Sequence, residues 1–135
     1  GGGQSGISIM SNHTAYGSVS FGSSIQGSKL YKGDIIIRFN NIQNLSGWNY
    51  LKIYGNVEMW ARIGGGVSTK NNEVYISSYK AEAYWGNSEV ISGNGVCICD
   101  ISSFSGNYWI YISVGNVFGS IIKSVSIFQV YLSTN

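Results

Sequence analysis

The stretch GVCICDISSFSGNYWIYISVG, residues 95–115, decides the fold. Both of its ends alternate with the period of two that is typical of β-strands, and the Ser, Gly and Asn residues between them indicate a turn. On the second strand, one face takes the residues Tyr108, Ile110, Ile112 and Val114. Trp109 and Tyr111 fall on the opposite face, where a strand that only built a core would not usually carry a tryptophan. We therefore expect this face to meet a ligand or another subunit.

The rest of the chain repeats the period of two, and no window shows convincing helical spacing. Asn94-Gly95 is the strongest turn signal, because this dipeptide suits a type I′ hairpin, and IGGGVSTK (63–70) is interpreted as a loose hairpin loop. Eight to ten strands without an internal repeat predict an all-β sandwich or barrel. The candidate strands are residues 7–11, 16–21, 34–39, 50–55, 57–63, 73–79, 81–85, 95–101, 108–114 and 124–132.

Several of these strands are apolar on both faces. In residues 124–132, SVSIFQVYL, strict alternation places Val125, Ile127 and Tyr131 on one face and Phe128, Val130 and Leu132 on the other. A two-layer sandwich has only one inner face per sheet. The outer face is therefore expected to be covered by another chain or to carry a binding surface.

The composition narrows the class of partner. The chain has 135 residues, a formal charge of +2 and only 10% charged residues, with no cluster of Lys or Arg. This pattern argues against nucleic-acid binding, and no apolar run is long enough to span a membrane. A surface of Ser, Asn, Gly and Tyr suits neutral, hydroxyl-rich ligands. We expect a linker or cloning scar at residues 1–6 and one β-sandwich domain at residues 7–135.

The two cysteines, Cys97 and Cys99, would share one face of a strand. Two free, buried thiols are expected, because residues two apart in a strand fit disulfide geometry poorly. A metal site would need more ligands, and the chain has a single histidine, His13. No metal or other cofactor is therefore predicted, and the free thiols fit folding in a reducing cytosol.

Three segments together resemble one family of domains. LSGWNYLKIYGNVE (45–58), GVCICDISSFSGNYWIYISVG (95–115) and IIKSVSIFQVYL (121–132) are similar in layout to the jelly-roll β-sandwich domains at the distal ends of phage tail fibres. Those domains share their architecture with many carbohydrate-binding modules. The late segment matches the family pattern at Asp100, Ile101, Ser102, Phe104, Gly106, Tyr108 and Ile110. Here Asp100 and Ser102 are expected to cap a turn, and Tyr108 and Ile110 to enter the core.

The resemblance implies a receptor-binding head domain without catalytic activity. It implies an antiparallel two-sheet jelly roll that binds a bacterial surface glycan as a homotrimer, in a virion tail fibre folded in the host cytoplasm. Three alternatives stay open. They are a trimerisation or capping domain without ligand, a secreted or cell-surface carbohydrate-binding module attached to a glycan hydrolase, and a small glycan hydrolase.

The candidate saccharide site collects aromatic and polar residues of three segments. In VEMWARI, residues 57–63, Trp60 is flanked by Glu58 and Arg62 on the face opposite Val57, Met59, Ala61 and Ile63. An indole ring stacks on the apolar face of a sugar, while a carboxylate and a guanidinium bind its hydroxyls. The other candidates are Trp109, Tyr111, Trp85 and Asn87. Aromatic residues and Arg are also enriched at subunit interfaces, so that interpretation stays open.

Catalysis receives little support from the sequence. A glycosidase needs two carboxylates across a cleft, and Glu58 with Glu82 would be the best pair if their strands were adjacent. Surface ion pairs with Arg62 and Lys80 are the favoured interpretation of these two residues. No G-x-S-x-G motif surrounds any serine, and no catalytic residue is predicted.

Overall fold

The computed structural model describes residues 6–10, 13–16, 19–21, 25–28, 35–69, 84–85, 90–116 and 124–135. Side chains are described for residues 6–10, 37–56, 63–69, 95–112 and 126–135. The regular structure in these ranges is entirely β-strand, in an antiparallel jelly-roll sandwich, as predicted. The strands are β1 (Gly6–Ser8), β2 (His13–Tyr16), β3 (Val19–Phe21), β4 (Ile25–Ser28), β5 (Ile35–Phe39), β6 (Gln43–Asn44), β7 (Tyr50–Ser68), β8 (Tyr84–Trp85), β9 (Val90–Asp100), β10 (Asn107–Asn116) and β11 (Ser124–Ser133). The predicted strand at 73–79 lies outside the described residues.

The 19-residue strand β7 belongs to both layers of the sandwich. Its first half pairs with β11 on one side and with β9 on the other, and β1 and β4 extend this layer beyond β11. Its second half pairs with β10 and β8, and at Arg62 and Ile63 also with the start of β9. The strands β5 and β2 continue that layer beyond β10. The first layer is thus built on β9–β7–β11 and the second on β5–β10–β7–β8.

The core fills the space between the two halves of β7. Outside residues 57–62, whose side chains are not described, the odd-numbered residues of this strand point inward, because Leu51, Ile53, Ile63 and Val67 are all buried. A Cβ atom on Gly65 would lie 2.8 Å from the Cδ1 atom of Ile53 and 3.1 Å from the Cδ2 atom of Leu51. The second half of the strand therefore packs directly against the first. The remaining buried apolar residues include Ile37, Phe39, Ile110, Ile112, Ile127, Val130 and Leu132.

Two predicted turns are wrong. Residues 64–66 lie inside β7, where Gly65 pairs with Ile112 and Gly66 with Tyr111, so they form no hairpin loop. Asn94 and Gly95 lie inside β9, opposite Asn56 and Gly55, so they form no type I′ turn. The predicted strands 50–55 and 57–63 are consequently one strand. Glycine is needed at position 65 because the opposite layer leaves no space for a Cβ atom, and that requirement resembles a turn signal in the sequence.

A register shift in β11 accounts for the apolar residues on both of its predicted faces. Ile127 pairs with Gly55 and Gln129 pairs with Tyr54, which leaves Phe128 as an extra residue between two rungs of the ladder. After this bulge, Val130 and Leu132 point inward on the same side as Ile127, and all three are fully buried. Phe128 is 45% exposed. Strict alternation fails here because the bulge changes the parity of the strand.

The cysteines and the late turn follow the sequence prediction. Cys97 and Cys99 are buried free thiols whose Sγ atoms are 3.7 Å apart. The Oδ1 atom of Asp100 accepts hydrogen bonds from the backbone N–H of Ser102 at 2.9 Å and from its hydroxyl at 2.6 Å. Because it accepts both of these hydrogen bonds, Asp100 caps the turn, as expected. Gly106, later in the same turn region, has a φ of 92°, which a residue with a side chain rarely adopts.

Stability is expected to depend on the charge of Asp100. The hydrogen bonds from the hydroxyl and the N–H of Ser102 hold the pKa of this exposed carboxyl below its ordinary value of 3.8. The ionised carboxylate then stabilises the folded state above the unfolded pKa, and this contribution disappears as the pH falls through the folded pKa. We expect Asp100→Asn to weaken the domain at neutral pH, with a difference from wild type that shrinks below about pH 4. Urea unfolding at a series of pH values measures the difference in the free energy of unfolding between Asp100→Asn and wild type, with Ser103→Ala as the control. A difference independent of pH would contradict the stabilising role of the Asp100 carboxylate.

Candidate functional site

The outer surface of the second layer carries the predicted tryptophan. Ile110 and Ile112 of β10 are buried in the core, so Trp109 and Tyr111 point to the opposite face, as predicted. Cross-strand pairing places Trp109 beside Ser68 of β7 and Tyr111 beside Arg38 of β5. We call this surface the tryptophan face and define it by Arg38, Asn40, Ser68, Trp109 and Tyr111.

Arg38 and Trp109 form the polar and aromatic centre of this face. The guanidinium carbon of Arg38 lies 5.5 Å from the centroid of the Trp109 ring, a distance typical of a cation–π contact. Its Nη2 atom donates a 2.8 Å hydrogen bond to the Oδ1 atom of Asn40. Arg38 is only 8% exposed, whereas Trp109 is half-buried. The face thus offers part of an indole ring beside a fixed guanidinium and an amide.

The expectation that Tyr111 is a surface aromatic residue is wrong. Its side chain is fully buried although it points away from the core. Its neighbours in the ladder are the largely buried Arg38 and Gly66, and the missing side chain at Gly66 leaves room for the tyrosine ring close to the sheet. Tyr111 therefore supports the tryptophan face from within, and its role in binding stays a prediction.

The other predicted site residues are placed only by their strands. Glu58, Trp60 and Arg62 belong to β7, where Arg62 pairs with Gly115 of β10. Trp85 of β8 pairs with Gly66, which separates it by one strand from β10. The side chains of these four residues, and the whole of Asn87, lie outside the described part of the chain. Their role in binding stays a prediction.

A second aromatic surface covers the outer side of the first layer. Tyr50, Lys52 and Tyr54 of β7 alternate with the buried Leu51 and Ile53, so they point away from the core. Tyr131 of β11 pairs with Lys52, and its ring meets that of Tyr54 edge to face at a centroid distance of 6.0 Å. An open depression beside them is lined by Tyr54, Gly55, Gly95, Val96 and Phe128. We call this surface the tyrosine face and define it by Tyr50, Lys52, Tyr54, Phe128, Gln129 and Tyr131.

Sequence reasoning missed the tyrosine face as a site. The signal was present in residues 50–54, YLKIY. Tyr50 and Tyr54 are four residues apart, and each is two residues from Lys52, so that all three occupy outward positions of the strand. A tryptophan is a stronger indication of a binding surface than a tyrosine, and the candidate list followed the tryptophans. The contribution of Tyr131 becomes visible only when the register of β11 against β7 is known.

The described side chains include few groups for metal binding or acid–base chemistry. Among them no three His, Cys, Asp or Glu residues are close enough to hold a metal ion. Asp100 is the one carboxylate whose side chain is described, and it is engaged by Ser102, so the pairing of Glu58 with Glu82 is not tested. The described residues also contain no helix that is long and apolar enough to cross a membrane.

Comparison with known proteins places the fold. No family model matches the chain, and no curated protein matches it in sequence. Among solved structures, the xylan-binding module CBM15 is similar over 97% of both chains, with a TM-score of 0.61 and 10% identity. The chain shares the β-sandwich fold of this module. A variant of the family 29 module CBM29-2, complexed with cellulohexaose, is similar over 96% of this chain and 91% of its own, with a TM-score of 0.58 and 13% identity.

Some of the similar structures contain an enzyme, and the match covers only part of each of them. The Spr0440 glycoside hydrolase domain, Endo-D from Streptococcus pneumoniae R6, matches 91% of this chain with a TM-score of 0.57 and 12% identity. The match covers only 21% of that chain, so the similarity is to a small part of the larger protein.

Proposed function

We propose that this chain is a non-catalytic glycan-binding domain that takes a neutral saccharide on the tryptophan face. The observation that carries the proposal is the half-exposed Trp109 ring held beside the guanidinium of Arg38. The similarity to a xylan-binding module and to a module complexed with cellulohexaose supports the ligand class.

The chemistry of the face fits a sugar. The C–H groups of a pyranose ring form an apolar surface that stacks on an indole, and its hydroxyls need hydrogen-bond partners around that contact. Arg38 and Asn40 supply a guanidinium and an amide next to the ring, and they are already hydrogen-bonded to each other. This preorganisation reduces the entropy lost when a ligand is bound.

The residues predicted from the sequence extend the proposed site along β7 and β8. In this proposal Trp60 and Trp85 add stacking rings, while Glu58, Arg62 and Asn87 bind hydroxyls. Of these residues, Arg62 and Trp85 lie in strand pairs of the second layer, whereas Glu58 pairs with Ser124 of β11 in the first layer.

Replacement of Trp109 tests the proposal. We expect Trp109→Ala to weaken saccharide binding at least tenfold, because buried tryptophan contacts commonly contribute about 2 kcal/mol or more. Isothermal titration with cellulohexaose, xylan and polysaccharide from low-GC Gram-positive bacteria measures the change. Ile42→Ala is the matched control, because Ile42 is an exposed apolar residue at 47% exposure outside both faces. A wild-type protein that binds none of these glycans, or a Trp109→Ala protein that binds as well as wild type, would contradict the proposal.

The finer proposal is that the domain is the receptor-binding head of a phage tail fibre and acts as a homotrimer. It rests on the resemblance of the three sequence segments. Light scattering of the purified domain and binding to whole bacteria test it together. A trimer that attaches to cells would support the tail-fibre role, whereas a monomer that binds isolated plant or bacterial polysaccharide would favour a module attached to a secreted hydrolase.

A further inference from the structure

We propose that the tyrosine face is a second glycan-binding surface, on the opposite side of the sandwich from the tryptophan face. The inference rests on the proposed function for the class of ligand. It differs from the proposed function in the surface that binds the glycan. It also has a further consequence, because a domain with two binding faces can join two glycan chains.

The rings of the tyrosine face form a line along β7. Tyr50 and Tyr54 are four residues apart, a distance of about 13 Å along a strand. Tyr131 is paired with Lys52 and therefore lies beside this line, between the two other tyrosines. The edge-to-face contact between Tyr54 and Tyr131 fixes the relative orientation of two of the rings. Phenol rings in such a row offer apolar surface and hydroxyl groups to an extended sugar chain.

The bulge in β11 adds a further ring at one end of the line. Phe128 is the extra residue in the ladder, and it is 45% exposed although it is wholly apolar. It lines the open depression together with Tyr54, Gly55, Gly95 and Val96. Bulges frequently reorient a side chain next to a functional site. The exposed phenylalanine and the adjacent depression are explained together if a sugar ring stacks there.

The charges on this side of the first layer favour a neutral ligand. The ammonium group of Lys52 lies 5.7 Å from the centroid of the Tyr50 ring and donates a hydrogen bond to the backbone oxygen of Asn135. Asp100 pairs with Tyr50 and is the acidic counterpart in the neighbouring strand. With one cation and one carboxylate among its described side chains, this side lacks the cationic excess that an anionic polymer needs. Gln129, which is exposed beside Tyr54, supplies a neutral amide for sugar hydroxyls.

Two faces predict bivalent binding by a single domain. The domain would link separate polysaccharide chains, or bind one surface at two places with an avidity above that of either face. In a monomeric domain, cross-linking of a soluble glycan needs both faces, whereas in a trimer one face per chain is enough. The number of sites per chain, measured by titration, therefore separates the second site from the first in either oligomeric state.

Four proteins test the inference: wild type, Trp109→Ala, the double variant Tyr54→Ala/Phe128→Ala, and the combination of all three changes. Each is titrated with cellulohexaose and then mixed with soluble xylan and bacterial polysaccharide, and precipitation is followed by turbidity. We expect two cellulohexaose sites per wild-type chain and one in each face variant. All binding should be lost in the combined variant, and in a monomer turbidity should be lost in both face variants. Tyr54→Phe, which keeps the ring, should retain both sites. The site that each face variant keeps on its other face shows that the loss is not caused by misfolding.

The outcomes distinguish failure of this inference from failure of the proposed function. Binding that depends on Trp109 and is unchanged in Tyr54→Ala/Phe128→Ala overturns the second site and leaves the proposed function intact. Binding that is lost only in Tyr54→Ala/Phe128→Ala overturns the two-face inference and moves the single site to the tyrosine face. A wild-type protein that binds no glycan overturns both. A change of oligomeric mass in the Tyr54→Ala/Phe128→Ala variant would identify the tyrosine face as an interface between copies and would overturn the second site.

Discussion

Deletion of Tyr131 is expected to lower the free energy of unfolding by about 2–4 kcal/mol, whereas deletion of Phe128 should change it by less than about 1 kcal/mol. Both changes remove one aromatic residue from β11, at positions three residues apart. They differ in their effect on the parity of the strand. Without Tyr131, Leu132 would follow Val130 directly and would point outward, so a fully buried side chain would leave the core. Without Phe128, Gln129 would follow Ile127, and the inward positions of Ile127, Val130 and Leu132 would be kept.

Urea unfolding followed by tryptophan fluorescence measures both deletions. The phenylalanine deletion should also remove the register shift, so that β11 and β7 pair as a regular ladder from Ser124 to Ser133. Backbone chemical shifts of Gly55 and Tyr54 would report this change. Equal destabilisation by the two deletions would show that the alternation of inward and outward residues in β11 is not shifted at Phe128.

Substitution of Gly65 is expected to have the second large effect. A Cβ atom at this position would lie 2.8 Å from both the Cδ1 atom of Ile53 and the Sγ atom of Cys99, closer than packed atoms approach each other. We expect Gly65→Val to destabilise the domain by about 1–3 kcal/mol, because overpacking displaces side chains of the opposite layer. Thermal and urea unfolding measure the loss, and an unchanged stability would mean that the two halves of β7 are farther apart than the structure has them.

A double-mutant cycle identifies the contact responsible. Ile53→Val removes the Cδ1 atom that a Cβ atom on Gly65 would meet, so Gly65→Ala should cost less in the Ile53→Val background than alone. The expected coupling is about 0.5–1.5 kcal/mol. Ile37→Val is the matched control, because Ile37 is equally buried and is not among the atoms nearest to Gly65. The same coupling with both isoleucine variants would assign the effect to general loosening of the core.

The fold class was predictable because alternation is a local property. The Asp100–Ser102 turn and the inward direction of Ile110 and Ile112 needed only neighbouring residues to be recognised. Gly65, in the predicted hairpin loop, was misread because glycine serves two purposes. In a turn it provides a backbone angle, and in β7 it allows a close approach between layers. The sequence alone does not distinguish these two uses, because the second depends on contacts with distant strands.

The candidate site was predictable only in part. The outward direction of Trp109 followed from the strand period, whereas the burial of Tyr111 depends on its neighbours Arg38 and Gly66, which are far away in sequence. The tyrosine face likewise needs two strands in register, since Tyr131 reaches Tyr54 only when β11 lies against β7. In β10 the outward direction of a residue follows from local alternation, whereas its accessibility depends on neighbours that are distant in sequence.

The membership of β7 in both layers has a consequence for how the domain opens. In a sandwich made of two separate sheets, one sheet can loosen while the other keeps its hydrogen bonds. Here a single strand supplies rungs to β11 and β9 in one layer and to β10 and β8 in the other, and its two halves pack against each other. Fraying of either layer disturbs a strand that the other layer also pairs with, so we expect the described strands of the two layers to unfold together.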